Sequence, residues 1–378
     1  MSLLKLYQNF DLEIDRAKGI KIFAKNGKEY LDTFTGIGVL SFGHSHPDLI
    51  KVFTEKLERY SHLSNFFIDE DAEYVAEKLI EFTGTTGKVF YTNSGTEASE
   101  GVLKTIRKIS TPKRNQIIFF DKGFHGRTTG SLSVTGFPKI KNCFEPLLQH
   151  TCQLPFNDSE NLEKHLNKYH DQVIAVFVEA IQGSGGIVPL DKGFAKKLEE
   201  LHQKYKFVLI CDEIQAGLGR TGKLFAYQHF GLKPNLVTVA KSLGGGLPLG
   251  AILFLENYAD VLQQGEHGST FAPNPVALAG AKYDINHIPK MLPDITQKGE
   301  YFLHKIKRLN SDRIQEARGY GLMLAIELIE ADETLRDRAF DNQLLLNVIN
   351  NKIIRLLPAL NITQAEMDLI VQKIGEIL

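Results

Sequence analysis

The chain has 378 residues, of which 43% are hydrophobic, enough for a large core and more than one domain. Forty-four Lys and Arg nearly balance 45 Asp and Glu, so a net charge of -1 gives no general attraction to nucleic acid or to an anionic membrane. Three cysteines, Cys143, Cys152 and Cys211, match neither a CxxC pair nor a zinc cluster, and no stretch approaches the roughly 18 consecutive apolar residues of a spanning helix.

Asp11, Glu13 and Asp15 interrupt the position where a signal peptide would continue its apolar run, so the expectation is a cytoplasmic protein. The opening segment reads as short strands. Residues 20–24 (IKIFA) and 29–32 flank Asn26-Gly27, a hairpin signal. Residues 49–58 and 71–82 read as helices. His44 and His46 lie close together, but their spacing across Ser45 ahead of Pro47 fits an irregular turn better than a metal site.

From residue 88 the texture changes. Strands are expected at 88–92, 117–120, 173–178, 207–211, 236–240 and 251–255, with helices at 97–109 and 194–205. Continuous apolar strands alternating with helices predict an α/β fold with a mostly parallel sheet covered on both faces; a mixed sheet is the alternative. After Pro273 come two helices, 275–288 and 295–309, then strands at 322–328 and 353–357 and a closing helix at 366–378. The expected organisation is a large domain over 60–273 and a smaller α+β domain built from both chain ends, 1–59 and 274–378.

In such a sheet, ligands sit outside the carboxyl ends of the strands. Several polar groups fall there. Lys241 directly follows an apolar strand and precedes Ser-Leu-Gly-Gly-Gly; it is either an enclosed amine nucleophile or a surface lysine beside a loop. Asp212 ends another apolar strand, where an acid can pair with a protonated heterocyclic nitrogen, ligate a metal or cap a helix. Ser94-Gly95-Thr96, between a strand and a helix, suits a phosphate or a plain N-cap. Ser269 and Thr270 are further phosphate-ligand candidates in a polar loop. Phe124, His125, Gly126 and Arg127 form a cluster in which the ring can stack on a planar group and the arginine can pair with a carboxylate. Arg355 is a second candidate carboxylate clamp. The chain has no GxGxxG or GxxxxGK[ST] pattern.

The blocks YTNSGTEASEGVLKTIRK (91–108), FHGRTTGSLSVTG (124–136), ICDEIQAGLGRTGKLFAYQHFGLKPNLVTVAKSLGGGLPLG (210–250) and HGSTFAPNP (267–275) carry a resemblance over nearly the full length. The sequence resembles the class III, ornithine-type, aminotransferases dependent on pyridoxal 5′-phosphate, most closely the acetylornithine/succinylornithine branch. The resemblance implies the type I fold of these enzymes and that cofactor. It implies that Lys241 is the Schiff-base lysine and proton carrier, Asp212 the partner of the pyridine nitrogen, and Gln215 the partner of the phenolic oxygen. Gly95 and Thr96, with Ser94 beside them, resemble phosphate ligands, and Thr270 the ligand supplied to the neighbouring subunit of a homodimer. Phe124 resembles the ring that stacks on the pyridine. Arg127 and Arg355 resemble substrate-carboxylate arginines, with Glu179 nearby and Ser269 beside the substrate.

The implied reaction, a step of arginine biosynthesis, moves the δ-amino group of N²-acetyl-L-ornithine to 2-oxoglutarate. N²-succinyl-L-ornithine and other ω-amino donors are alternatives, as are a racemase or aminomutase and a non-catalytic scaffold on the same fold. One segment departs from the family pattern. VEAIQGSGG has Ala180 for the usual proline and Ser184 for the usual glutamate, which in many relatives masks the arginine at position 355.

Overall fold

Seven strands form the central sheet, and their order across it is Gly87–Thr92, Gly250–Leu255, Leu236–Val239, Val208–Asp212, Val173–Val178, Gln116–Phe120, Thr151–Leu154. The structure is a computed structural model that describes residues 2–309 and 311–378. Every residue of Val173–Val178 and Val208–Asp212 is buried, which is why these strands read as unbroken apolar runs rather than alternating ones. Alternation survives in the packing. Ile117 and Phe119 join the core under helix Gly95–Ile109, whereas Ile118 and Phe120 join the opposite core with Phe194 and Leu198 of helix Lys192–Tyr205.

The sheet is mixed. Gly250–Leu255 runs antiparallel to both its neighbours, while Leu236–Val239, Val208–Asp212, Val173–Val178, Gln116–Phe120 and Thr151–Leu154 pair in parallel. The reason lies in the connection. Residues 240–249 are fewer than the dozen or so needed to cross back for a parallel return, so the chain turns and runs beside itself.

Two smaller four-stranded sheets flank this layer. One joins Ile14–Lys18, Lys21–Ala24 and Glu29–Asp32 to Leu344–Leu345; the other orders Ile314–Tyr320, Met323–Leu328, Ile353–Leu356 and Asn347–Ile349. Both chain ends feed one core, in which Ile20, Leu31, Phe42 and Leu49 pack with Ile326, Ile354, Ile370 and Ile374. The hairpin expected around Asn26-Gly27 is present, with Ile22 opposite Tyr30.

One expectation is corrected. The two helices placed at 275–288 and 295–309 are a single helix, Pro275–Lys307, with Pro289 and Pro293 inside it. Each interior proline costs about 3 kcal/mol. Against this, Leu278 and Ile285 pack in the core of the central sheet, and Ile288, Ile295, Phe302 and Ile306 pack in that of the chain ends. At roughly 1.5–3 kcal/mol per buried side chain, those contacts hold both halves on one axis. No helix among the described residues is long and apolar enough to cross a membrane.

The same helix carries Gly299, where an added Cβ would lie 2.2 Å from the Gly321 carbonyl oxygen and 2.6 Å from its Cα. Elsewhere in a helix, Gly→Ala stabilises by up to about 1 kcal/mol. Here Gly299→Ala is expected to destabilise the protein by about 1–3 kcal/mol, because backbone must move to admit the methyl. Urea denaturation of the two proteins measures the sign.

Candidate active site

Asp212 is the last residue of Val208–Asp212, and Lys241 follows Leu236–Val239 after Ala240 alone. These strands are parallel neighbours, with Asp212 in register with Thr238, so both side chains leave the sheet at one edge. Both line a cavity of about 380 Å³, together with Ser94, Gly95, Thr96, Phe124, His125, Glu179, Ser184 and Gln215. Three further strand ends thus contribute to the walls through the loops that follow Thr92, Phe120 and Val178.

Asp212 is buried and doubly held. Its Oδ1 accepts from the Ile214 amide at 3.0 Å, and its Oδ2 lies 2.7 Å from His125 Nδ1. A carboxylate can only accept there, so Nδ1 carries the proton. His125 is itself buried and stacks on Phe177 with ring centroids 4.1 Å apart. Glu179 accepts from the Phe124 amide at 2.8 Å and the Gly183 amide at 3.0 Å, fixing both loops on the cavity wall. Burial pushes the Glu179 carboxyl up, the Asp212 charge adds to this, and His125 opposes it.

Lys241 has a left-handed backbone, with φ of 50°. That conformation is costly for a residue with a Cβ and is over-represented at functional positions. Enclosure draws its amine down to about 8, against an upward pull from Asp212 and a further push down from Arg355. The glycines after it permit close packing: an added Cβ at Gly245, where φ is 62°, would lie 3.1 Å from Gly280 Cα.

The opposite end of the cavity suits an anion. Ser94 Oγ caps helix Gly95–Ile109 by accepting from the Glu97 amide at 3.2 Å. The amides of Gly95 and Thr96, in the first turn, have no intrahelical acceptor, and the helix dipole adds to their pull. Gly95 must be glycine, since a Cβ would meet Ile214 Cδ1 at 2.7 Å.

Arg355 is buried one layer behind this wall. It donates from Nη1 to Gln215 Oε1 and to the Gly183 carbonyl, each at 3.2 Å, and from Nε to Asn347 Oδ1 at 3.0 Å. Arginine has no acceptor, so Gln215 must turn its Oε1 to Arg355 and keep its amide N–H groups as donors for the cavity. Burial lowers Arg355 to about 10, while Glu179 raises it.

Not every predicted site residue enters the cavity. Arg127 is exposed, its guanidinium 5.5 Å from the Phe124 ring centroid. Ser269 Oγ accepts from Asn93, which lines the cavity, at 3.1 Å, but Thr270 next to it is exposed and outside. His44 is occupied by Asp32, 2.8 Å from its Nε2. His125 stands out in the sequence only as a histidine in a strand-end cluster, and nothing local marks Asn347.

These groups fit pyridoxal 5′-phosphate. An amine and an anchored carboxylate share one cavity with amides for a phosphate, an amide donor for a ring oxygen and an aromatic face at Phe124.

The family profile described as Aminotransferase class-III matches residues 5–378. The acetylornithine aminotransferase of Aquifex aeolicus is 39% identical, over 100% of this chain and 99% of that protein. The succinylornithine transaminase of Photorhabdus laumondii is 38% identical, over 93% of this chain and 90% of its own. Among solved structures, the N-acetylornithine aminotransferase of Stenotrophomonas maltophilia superposes with a TM-score of 0.83 at 30% identity, covering 99% of this chain and 97% of that one. The ornithine aminotransferase of Toxoplasma gondii gives 0.92 at 29% identity, over 100% and 92%.

The amine of Lys241 attacks an aldehyde only when neutral, so its rate should rise with pH through its own pKa. A lysine lowered from 10.5 to about 8 is largely protonated at pH 7 and neutral by pH 9. Cofactor uptake by the cofactor-free chain, followed by absorbance from pH 6.5 to 10.5, should show a midpoint near pH 8. A rate still climbing in proportion to hydroxide between pH 8.5 and 9.5 would mean an unperturbed lysine.

Proposed function

Since this chain belongs to the class-III aminotransferases, we propose that it moves the δ-amino group of N²-acetyl-L-ornithine to 2-oxoglutarate, giving N-acetyl-glutamate 5-semialdehyde and glutamate. It is an aminotransferase dependent on pyridoxal phosphate. The donor rests on the similarity, end to end, to the Aquifex acetylornithine aminotransferase. When bound, the cofactor supplies the aldehyde that takes up the amino group and a ring that draws electrons from the reacting carbon.

The chain's own residues do the rest. Lys241 would take the proton from the substrate carbon that bears the amine and deliver it to the cofactor's former aldehyde carbon. A pKa near 8 suits both steps close to neutral pH. Asp212 would keep a proton on the ring nitrogen, and His125 holds that carboxylate in place. Gln215 would donate to the ring oxygen, Phe124 would cover one face, and Ser94, Gly95 and Thr96, which line the same cavity, would hold the phosphate. Arg127 receives the donor's carboxylate, Arg355 that of the oxo acid, and Glu179 organises the wall between them.

The assembly we propose is a homodimer in which Thr270, with Ser269 beside it, completes the partner's phosphate site. Its exposed position in a single chain supports this, as do the exposed Phe66, Phe67, Ile68 and Phe271.

Ser184 favours a second reading. It lines the cavity with a short neutral side chain and leaves room and positive charge for the extra carboxylate of N²-succinyl-L-ornithine. A donor panel with 2-oxoglutarate as acceptor distinguishes the two: a kcat/KM at least tenfold higher for the acetyl compound supports the first. Turnover with neither donor would end both. Lys241→Ala should lower turnover by about 10⁴-fold or more. It should also abolish the fixing of cofactor to the chain by borohydride, read by mass spectrometry of the loaded protein.

A further inference from the structure

We infer that Asn347 is the positioning residue that keeps Arg355 aimed and uncompensated, making it a standing receptor for the carboxylate of the oxo acid. This deepens the proposed function and rests on it.

The argument begins with a short hairpin. Asn347–Ile349 pairs antiparallel with Ile353–Leu356, and Asn347 stands directly opposite Arg355. Asn350 and Asn351, with φ of 51° and 54°, make the turn. Asparagine tolerates that left-handed conformation better than other residues with a Cβ. A residue directly across an antiparallel pair shares its face of the sheet, so the Asn347 amide reaches the guanidinium at 3.0 Å.

A guanidinium has five N–H groups. Asn347 takes the one on Nε, and Gly183 and Gln215 take the two on Nη1. All three acceptors are neutral. Those on Nη2 have no acceptor among the described residues. Neither does Arg355 form an ion pair there: Glu179 acts on its charge, but both Glu179 oxygens are engaged by backbone amides. Ser184, beside Gly183, brings no charge to the wall.

A buried cation without a contacting anion is costly, and neutral hydrogen bonds offset only part of that cost. The missing anion is therefore best supplied by a ligand, and a carboxylate meeting the Nη2 edge supplies it. An Asp at position 347 would place a permanent internal anion on Nε instead. The Asn oxygen orients the guanidinium without neutralising it.

The test uses the cofactor-loaded enzyme and glutarate, an unreactive dicarboxylate of the same length as 2-oxoglutarate. Titration calorimetry of wild type, Asn347→Asp and Asn347→Ala reads the clamp directly. Asn347→Asp should weaken glutarate at least tenfold and raise the KM for 2-oxoglutarate in step, while lowering the kcat/KM for N²-acetyl-L-ornithine by a clearly smaller factor. Asn347→Ala keeps the charge and frees the side chain, so it should weaken glutarate by a smaller factor. Wild-type glutarate binding in either variant overturns the proposal. So does an equal loss for donor and acceptor, the signature of a general structural defect. Failure of every acylated ornithine to react would instead overturn the donor assignment, while the glutarate titration would still report on Asn347.

Discussion

Two parallel neighbours, Val208–Asp212 and Leu236–Val239, end at one edge of the central sheet, and the active site depends on this. The hydrogen-bond register between them places an acid and an amine from separate loops in one cavity, without any contact between the two side chains having to arrange it. The apolar strand behind each residue anchors it in the core. Cys211 and Val239, one and two residues before the candidate catalytic groups, are both fully buried. Moving either strand by one residue would turn its functional side chain to the other face of the sheet. Core packing and catalytic geometry are therefore one constraint here.

Around that edge the structure manages charge by enclosure. Asp212 is anchored by an amide and an imidazole, Glu179 by two amides, and Arg355 by three neutral acceptors. Glu179 and Arg355 are fixed by hydrogen bonds to neutral groups and have no ion-pair contact among the described residues. Such a site needs little reorganisation when a charged ligand enters, which is the condition for strong electrostatic effects. Glu213, next in sequence to Asp212, shows the contrast. It turns away from the cavity to accept from the Ala226 and Tyr227 amides, and burial pushes its carboxyl up to about 8. Adjacent carboxyls thus take different duties because a strand end sends them to different environments.

What the sequence made legible was the part governed by local pattern. Buried strands announced themselves as apolar runs, and Lys241 and Asp212 stood out as polar residues ending them. The edge strand Thr151–Leu154 did not, because its partly exposed residues carry no continuous apolar signal. Helix Ser159–Tyr169 was equally quiet: only Leu162 and Leu166 are buried, though Asp158 caps it by accepting from the Asn161 amide. The unbroken helix Pro275–Lys307 escaped for the opposite reason. Local chemistry predicted a break, and contacts with two cores overrode it. His125 and Asn347 depend on partners 87 and 8 residues away, and the second depends on a strand of three residues. His125 meets Asp212 only through the tertiary fold, and Asn347 meets Arg355 through the register of a short hairpin.

The two arginines assigned to carboxylates are built for different exposures. Arg127 lies at the surface against the Phe124 ring, free to change rotamer at little cost. Arg355 is buried, tethered at Nε and Nη1, and has lost that freedom before any ligand arrives. Binding a carboxylate at Arg355 therefore costs less ordering entropy and gains more from the lower local dielectric. The mobile arginine suits donors whose acylated ends vary in size. The fixed one suits a small acceptor that must present its carbonyl at a single position. The Arg355–Gln215 hydrogen bond links the buried guanidinium to a side chain that lines the cavity.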